Sequence, residues 1–255
     1  MHIESLYRYP VKGLPAEPLA SAALTPGRCI PWDRAFALAQ GDAALNPANP
    51  AWVSKTNFMC LLRNASIAQL QTRFDETASQ LAITAPNGQN IAANPLTPEG
   101  RTALTAFLTA WLGTESRTGP LGQRPAFHYF ESHSFCDHQT QVISLIGLGS
   151  LKALEAAAAA PRGKHRFRAN IYIEEIAAWA EFSWLGKTLQ IGEATLRVHE
   201  RIGRCAATTV NPCTAIRDAN PVRELQKNFG HTDLGVYAEV LTPGVIRPGD
   251  TIASL

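Results

Sequence analysis

Apolar and polar positions alternate with a period of two along much of the chain, and a helical period stands out at only a few well-marked places. In QLAITAPNGQNIAA two short alternating runs flank Asn87-Gly88, a pair that accepts the positive φ angles of a tight hairpin. KTLQIGEATLRVHER repeats the arrangement around Gly192-Glu193, and its second arm sets Leu196, Val198 and Glu200 against Arg197 and His199. GVYAEVL and TIASL are further predicted strands, joined by the turn-rich TPGVIRPGD.

The predicted helices declare themselves by their ends. In LTPEGRTALTAFLTAWLG, Thr97 is the N-cap and Pro98 the first helical residue; Leu104, Phe107, Leu108, Trp111 and Leu112 share a face before Gly113 ends the run. In ANPVRELQKNFG, Asn220 caps, Pro221 starts, Val222, Leu225 and Phe229 form the stripe, and Gly230 closes. GSLKALEAAAAAP, rich in the best helix former, ends at Pro161. Gly, Pro and polar residues in TESRTGPLGQRPAF, residues 114–127, mark a seam that divides the chain into two β-rich units, residues 1–120 and 121–255. The predicted class is α+β, predominantly β.

At 255 residues the chain can bury a core without disulfide or metal staples. Its net charge of +2 argues against a general binder of nucleic acid or anionic membrane, so any anion chemistry must be local. The start, MHIESLYRYPVKG, carries no secretory signal, and no apolar run approaches a membrane span. Five dispersed cysteines without a Cys-x-x-Cys pair fit a reducing, cytoplasmic setting with free thiols.

Several stretches could carry chemistry. RGKHRFRAN crowds Arg162, Lys164, His165, Arg166 and Arg168 before a predicted strand; such density reads either as an anion pocket or as a solvated loop at a helix C-terminus. Arg166, Arg168 and Asn170 point one way if the segment is extended. HYFESHSFCDH offers His128, His133, Cys136 and His138, in a spacing that matches no defensible metal site and reads as a loop with scattered imidazoles. Neither a Gly-x-Ser-x-Gly elbow nor a dinucleotide or phosphate loop is present. In RIGRCAATTVNP, Cys205 is a buried hydrophobe, a nucleophile or a metal ligand. Arg201 and Arg204 flank it, cations favour the thiolate that nucleophile and ligand both require, and Gly203 permits close backbone approach.

Four segments, RYPVKGLP…WDRAFALA, RFRANIYI, RIGRCAATTV and GVYAEVLTPGVIRPGDTI, in that order, resemble the molybdenum-cofactor sulfurase C-terminal (MOSC) proteins. More narrowly, they resemble the two-part mitochondrial amidoxime-reducing component and its bacterial relatives. The resemblance implies an N-terminal β-barrel-like module packed on a MOSC β-barrel with a few peripheral helices. It also implies molybdopterin-bound molybdenum, or tungsten, ligated by Cys205 as the catalytic residue. Lys12, Gly13, Arg34, Thr140, Arg168, Asn170, Gly203, Arg204 and Tyr237 would then hold the cofactor, and the family also carries an association with pyridoxal phosphate binding. The implied reaction is reduction of small N-hydroxylated or N-oxide compounds by oxygen-atom transfer to the metal. Electrons would come from a separate donor protein: a ferredoxin, a cytochrome b5-like protein or a flavoprotein reductase. Two departures bear on the site: Gly13 stands where the family often has Ser, and VNPCTA, with Asn211, Cys213 and Ala215, replaces an acidic stretch. A non-catalytic carrier of cofactor or sulfur on the same cysteine, and a metal-free thiol enzyme, are the competing readings.

Overall fold

A computed structural model describes residues 1–255. The chain opens with β1 (His2–Arg8), β2 (Glu17–Leu19) and β3 (Ala22–Leu24), followed by β4 (Phe36–Ala39). A three-stranded meander comes next, β5 (Gln71–Asp75), β6 (Gln80–Thr84) and β7 (Asn90–Ala93), then α1 (Pro98–Leu112) and β8 (Ala126–Tyr129). The second half runs β9 (Ile143–Gly147), α2 (Leu148–Ala158), β10 (Ile171–Glu174), β11 (Thr188–Ile191), β12 (Ala194–Gly203), α3 (Pro221–Phe229), β13 (Asp233–Thr242), β14 (Gly244–Ile246) and β15 (Ile252–Ser254). The architecture is thus mostly β with three helices.

The main sheet has eight strands in the order β15-β11-β12-β13-β9-β10-β1-β2, so the first strands of the chain complete the sheet of its second half. Only the β9–β10 pair is parallel, and α2 provides the crossover that a parallel pair requires. Both hairpins form as the alternation predicts: β6 pairs β7 across Asn87-Gly88, and β11 pairs β12 across Gly192-Glu193. On β12, Leu196 and Val198 are buried while Arg197 and His199 are exposed, but the ladder slips between Val198 and Glu200 and turns Glu200 to solvent. The segment TPGVIRPGD is not turn alone: Gly244–Ile246 form β14, which pairs with β3.

The helix ends follow their capping residues. Thr97 accepts a hydrogen bond from the Gly100 amide, and Asn220 accepts one from Arg223, in each case with Pro in the first turn. On α1 the buried positions are Gly100, Leu104, Leu108 and Leu112, with Phe107 and Trp111 packed at the rim. Two main cores result. One, of 21 buried residues, lines the inner face of the large sheet; the other, of 19, gathers Val11, Phe36, Leu81, Leu104 and Phe127 from the first half. Val210, only five residues beyond Cys205, belongs to the second core and is 2% exposed. The cysteine loop is thereby tied between the two cores.

Candidate cofactor-binding site

β12 ends at Gly203, and the chain leaves the ladder with the Arg204 amide donating to the Thr232 carbonyl at 2.9 Å. Cys205 is extended, and Ala206–Thr209 then form one 3-10 turn. The Thr208 amide and hydroxyl both donate to the Cys205 carbonyl, at 3.0 and 2.9 Å. Two arginines pin the turn from outside: Arg166 donates to the Thr208 and Thr209 carbonyls at 3.3 and 3.0 Å, and Arg217 to Ala206 at 3.2 Å. The small side chains of the AATT run leave those carbonyls within reach.

The turn leaves the Cys205 Sγ half-buried, facing a cavity of about 270 Å³. Lys55 Nζ donates to the sulfur at 3.2 Å. Burial opposes the ammonium charge of Lys55, but Cys205 outweighs it and the lysine is held above its ordinary pKa. Six cationic side chains (Arg34, Lys55, Arg166, Arg168, Arg201 and Arg204) line the cavity, against two carboxylates, Asp137 and Glu200. A narrower extension adds Lys12, Gly13 and Cys60 beside the same sulfur.

Each cation is placed by identifiable contacts. Arg34, at φ 51°, pairs with buried Asp33 and donates to the Arg168 carbonyl at 3.1 Å. Arg168, at φ 55°, donates to the Leu14 carbonyl at 2.7 Å. The two guanidiniums lie 4.6 and 4.2 Å from the Tyr9 ring, which burial pushes to a pKa of about 12. Arg204 donates to the Phe167 and Leu234 carbonyls. Lys12 donates to the Phe135 carbonyl at 2.7 Å and pairs with Asp137. Lys12, Arg34 and Lys55 hold the Asp137 pKa well below the usual carboxylate range.

Arg168 and Arg204 have backbone carbonyls as partners but no carboxylate, and burial lowers the pKa of both. Half-buried guanidiniums without a carboxylate partner, turned toward one cavity, suit an anionic group there. A single thiolate likewise suits a soft metal whose remaining ligands arrive with an organic cofactor. The donor set therefore fits a phosphate-bearing, thiolate-ligated metal cofactor.

Of the residues expected from sequence, Lys12, Gly13, Arg34, Arg168, Gly203, Arg204, Cys205 and Tyr237 come together around this space. Two do not. Thr140 is exposed off the cavity, its amide donating to His138 Nδ1 at 2.9 Å. Asn170 is buried in the sheet, where its Oδ1 accepts from the Ser144 hydroxyl and amide and its Nδ2 donates to the Tyr7 carbonyl. Ser144, its partner, lines the cavity instead. Residues 164–167 form a 3-10 turn, not an extended segment, so alternation does not orient the arginines. Three cations of the basic run are engaged by carboxylates: Arg162 with Glu224, Lys164 with Glu4 and Arg166 with Asp218.

Gly13, where a serine is common in the resemblance, has φ +87°, and a Cβ there would lie 2.8 Å from the Met59 carbonyl oxygen. Glycine is what this backbone accepts. A Cβ on Gly203 would meet nothing closer than Asp233 Oδ1 at 3.7 Å, so the fold itself does not require glycine there. Tyr237 presents a hydroxyl that burial pushes up to about 12, its ring 5.5 Å from that of His138. The His128–His138 stretch does not converge on one point: His133 packs edge-on to Phe135, and His138 Nε2 lies 3.3 Å from Glu200. What that stretch contributes is Asp137. Lys55 was invisible in sequence because it stands on a single 3-10 turn, Lys55–Asn57, with no periodic pattern around it.

Residues 1–115 match the MOSC N-terminal beta barrel domain family, and residues 131–253 match the MOSC domain family. Mitochondrial amidoxime-reducing component 1 of Mus musculus is 33% identical over 98 residues, a stretch covering 34% of this chain and 28% of that protein. Among solved structures, the YuaD protein of Bacillus subtilis aligns over 98% of this chain and 92% of its own at 13% identity, with a TM-score of 0.45. YiiM of Geobacillus stearothermophilus aligns over 44% of this chain and 53% of its own at 20% identity, with a TM-score of 0.35. No helix is long and apolar enough to cross a membrane. The chain is a MOSC-domain protein, with a MOSC N-terminal beta barrel domain ahead of the domain that carries Cys205.

Proposed function

We propose that this chain is a molybdenum-cofactor-dependent oxidoreductase that reduces small N-hydroxylated or N-oxide compounds. The observation that carries the reading is the Cys205 sulfur facing a cavity whose cations outnumber its carboxylates. Family membership and the partial likeness to an amidoxime-reducing protein support it. In this reading residues 1–120 and 121–255 are the two units, the protein works in the cytoplasm, and a separate protein delivers electrons.

Cys205 would hold the metal, molybdenum or tungsten, and Arg34, Arg168 and Arg204 with Lys12 would hold the anionic end of the pterin. When bound, that cofactor supplies a two-electron centre able to accept the oxygen of an N–O bond. The protein's own contribution is positional. The turn pinned by Arg166 and Arg217 fixes the sulfur; Lys55 donates a hydrogen bond to it; the half-buried guanidiniums, already oriented by backbone carbonyls, need no reorganisation to meet an anion. Asp137, kept ionised by Lys12, is the one carboxylate beside the sulfur's lysine that could accept a hydrogen bond from the N–OH or amine of a substrate.

Steady-state reduction of a test amidoxime with an artificial electron donor tests the reading. Cofactor-loaded wild-type protein should turn over and Cys205→Ala should not. Turnover by metal-loaded Cys205→Ala would overturn the assignment, and a metal-loaded wild type without turnover would identify a carrier.

A further inference from the structure

A second cavity, of about 370 Å³, opens where the segment between β3 and β4 meets the loop after β8, and it shares no lining residue with the Cys205 cavity. Its volume lies within the range of small-molecule pockets, about 300–1,000 Å³. Three of its side chains carry unspent polar groups. Arg28 and Gln141 both donate to the Ser132 carbonyl, which holds the guanidinium at the opening, and the remaining nitrogens of Arg28 have no partner. The Tyr129 hydroxyl and the His133 ring make no hydrogen bond within the chain, and burial pushes the imidazole toward its neutral form. The one carboxylate on the lining, Asp33, is already engaged by the Tyr9 amide at 2.8 Å and by Arg34, so it is not a counter-ion for Arg28. The apolar wall is aromatic: Trp32 and Tyr129 stack with ring planes 29° apart and centroids at 6.3 Å. Trp32 has φ 64°, an uncommon conformation for a bulky residue, and its indole is anchored by donation to Glu76 at 3.0 Å. Strain of this kind persists only where the surroundings enforce it, and here it keeps an indole at the cavity.

We propose that this cavity is a binding site for a small aromatic carboxylate, separate from the site built around Cys205. The free side of the Arg28 guanidinium takes the carboxylate, since its planar fork matches two oxygens. The ring of the ligand packs against Trp32 and Tyr129, which offer the flat apolar contact that an aliphatic acid or an inorganic anion cannot use. The Tyr129 hydroxyl and the neutral His133 ring are left to bond a polar substituent on that ring. A cationic amine of the same shape would meet Arg28 with like charge.

Isothermal titration of the full-length protein with para-hydroxybenzoate, para-hydroxybenzamide and cyclohexanecarboxylate tests the proposal. The aromatic acid should bind one per chain and change the tryptophan fluorescence, and the other two should bind about tenfold more weakly or worse. Arg28→Met should weaken the aromatic acid by a similar factor; Arg28 is exposed, so the fold should survive, and an unchanged melting temperature checks this. Trp32→Phe should keep binding and remove the fluorescence change. Arg168→Met, in the other cavity, should leave the affinity as it is. No saturable binding by wild type, equal affinity for acid and amide, or binding lost with Arg168→Met but not with Arg28→Met would each overturn the proposal, the last by placing the anion beside Cys205.

Discussion

Arg168 and Arg162 stand six residues apart and do different work. Arg162 is matched by Glu224 through two hydrogen bonds of 2.7 and 2.8 Å, whereas Arg168 has only the Leu14 carbonyl and the Tyr9 ring and faces the cavity. Charged hydrogen bonds of this kind contribute about 1.5–3 kcal/mol each. Arg168→Met should therefore lower retention of the cofactor on dialysis by about tenfold or more, read as metal per chain. Arg162→Met should leave retention unchanged and show only a modest loss of melting temperature. Equal losses from both variants would mean that the cavity's charge acts as a diffuse field and not through a specific contact. Sequence density alone could not separate these arginines, because their partners, Glu224 and Leu14, lie far away along the chain.

Among the elements, those with local signatures were the ones legible in sequence. Asn87-Gly88 sets its own hairpin, and Thr97-Pro98 and Asn220-Pro221 announce their helices, since cap, turn and apolar stripe are all written within a few residues. Thr97→Ala should cost about 1 kcal/mol by denaturant unfolding, with the slope unchanged. Elements fixed by distant contacts were not legible. β14 exists because β3 offers it a partner, and the 164–167 segment coils because Arg166 is drawn to the turn after Cys205. Gly235 illustrates a tertiary demand that no local pattern reveals. On β13 it has φ +83°, and a Cβ would stand 2.3 Å from the Leu145 carbonyl oxygen on β9. Gly235→Ala should destabilise by about 1–3 kcal/mol, a strained φ added to a backbone clash; an unchanged midpoint in urea would show that the β9–β13 contact is slack.

At the level of the whole molecule, the site lies where two cores meet, and its cost is distributed over the fold. Glu181, fully buried, accepts from the Ser150 hydroxyl at 2.8 Å and from the Gly147 amide at the start of α2. Burial raises its pKa above the ordinary 4.5. A raised folded-state value means that its contribution to stability is complete below 4.5 and is lost as pH rises through the folded value. Glu181→Gln keeps one of the two acceptor oxygens, can turn its amide toward the Ser150 hydroxyl, and removes the titration, so the variant should gain melting temperature relative to wild type as pH rises above 4.5. A difference independent of pH would contradict that account. Family membership was legible from four ordered segments, and the cysteine they single out does line the cavity, whereas Lys55, Asp137 and Ser144 enter only once the chain is folded. The most direct measurement is metal and pterin analysis of wild type and Cys205→Ala produced in a host able to synthesise molybdenum cofactor. Wild type should hold metal and pterin in stoichiometric proportion and the folded variant neither; a metal-free wild type, or a variant that retains the full complement, would contradict the central role given to Cys205.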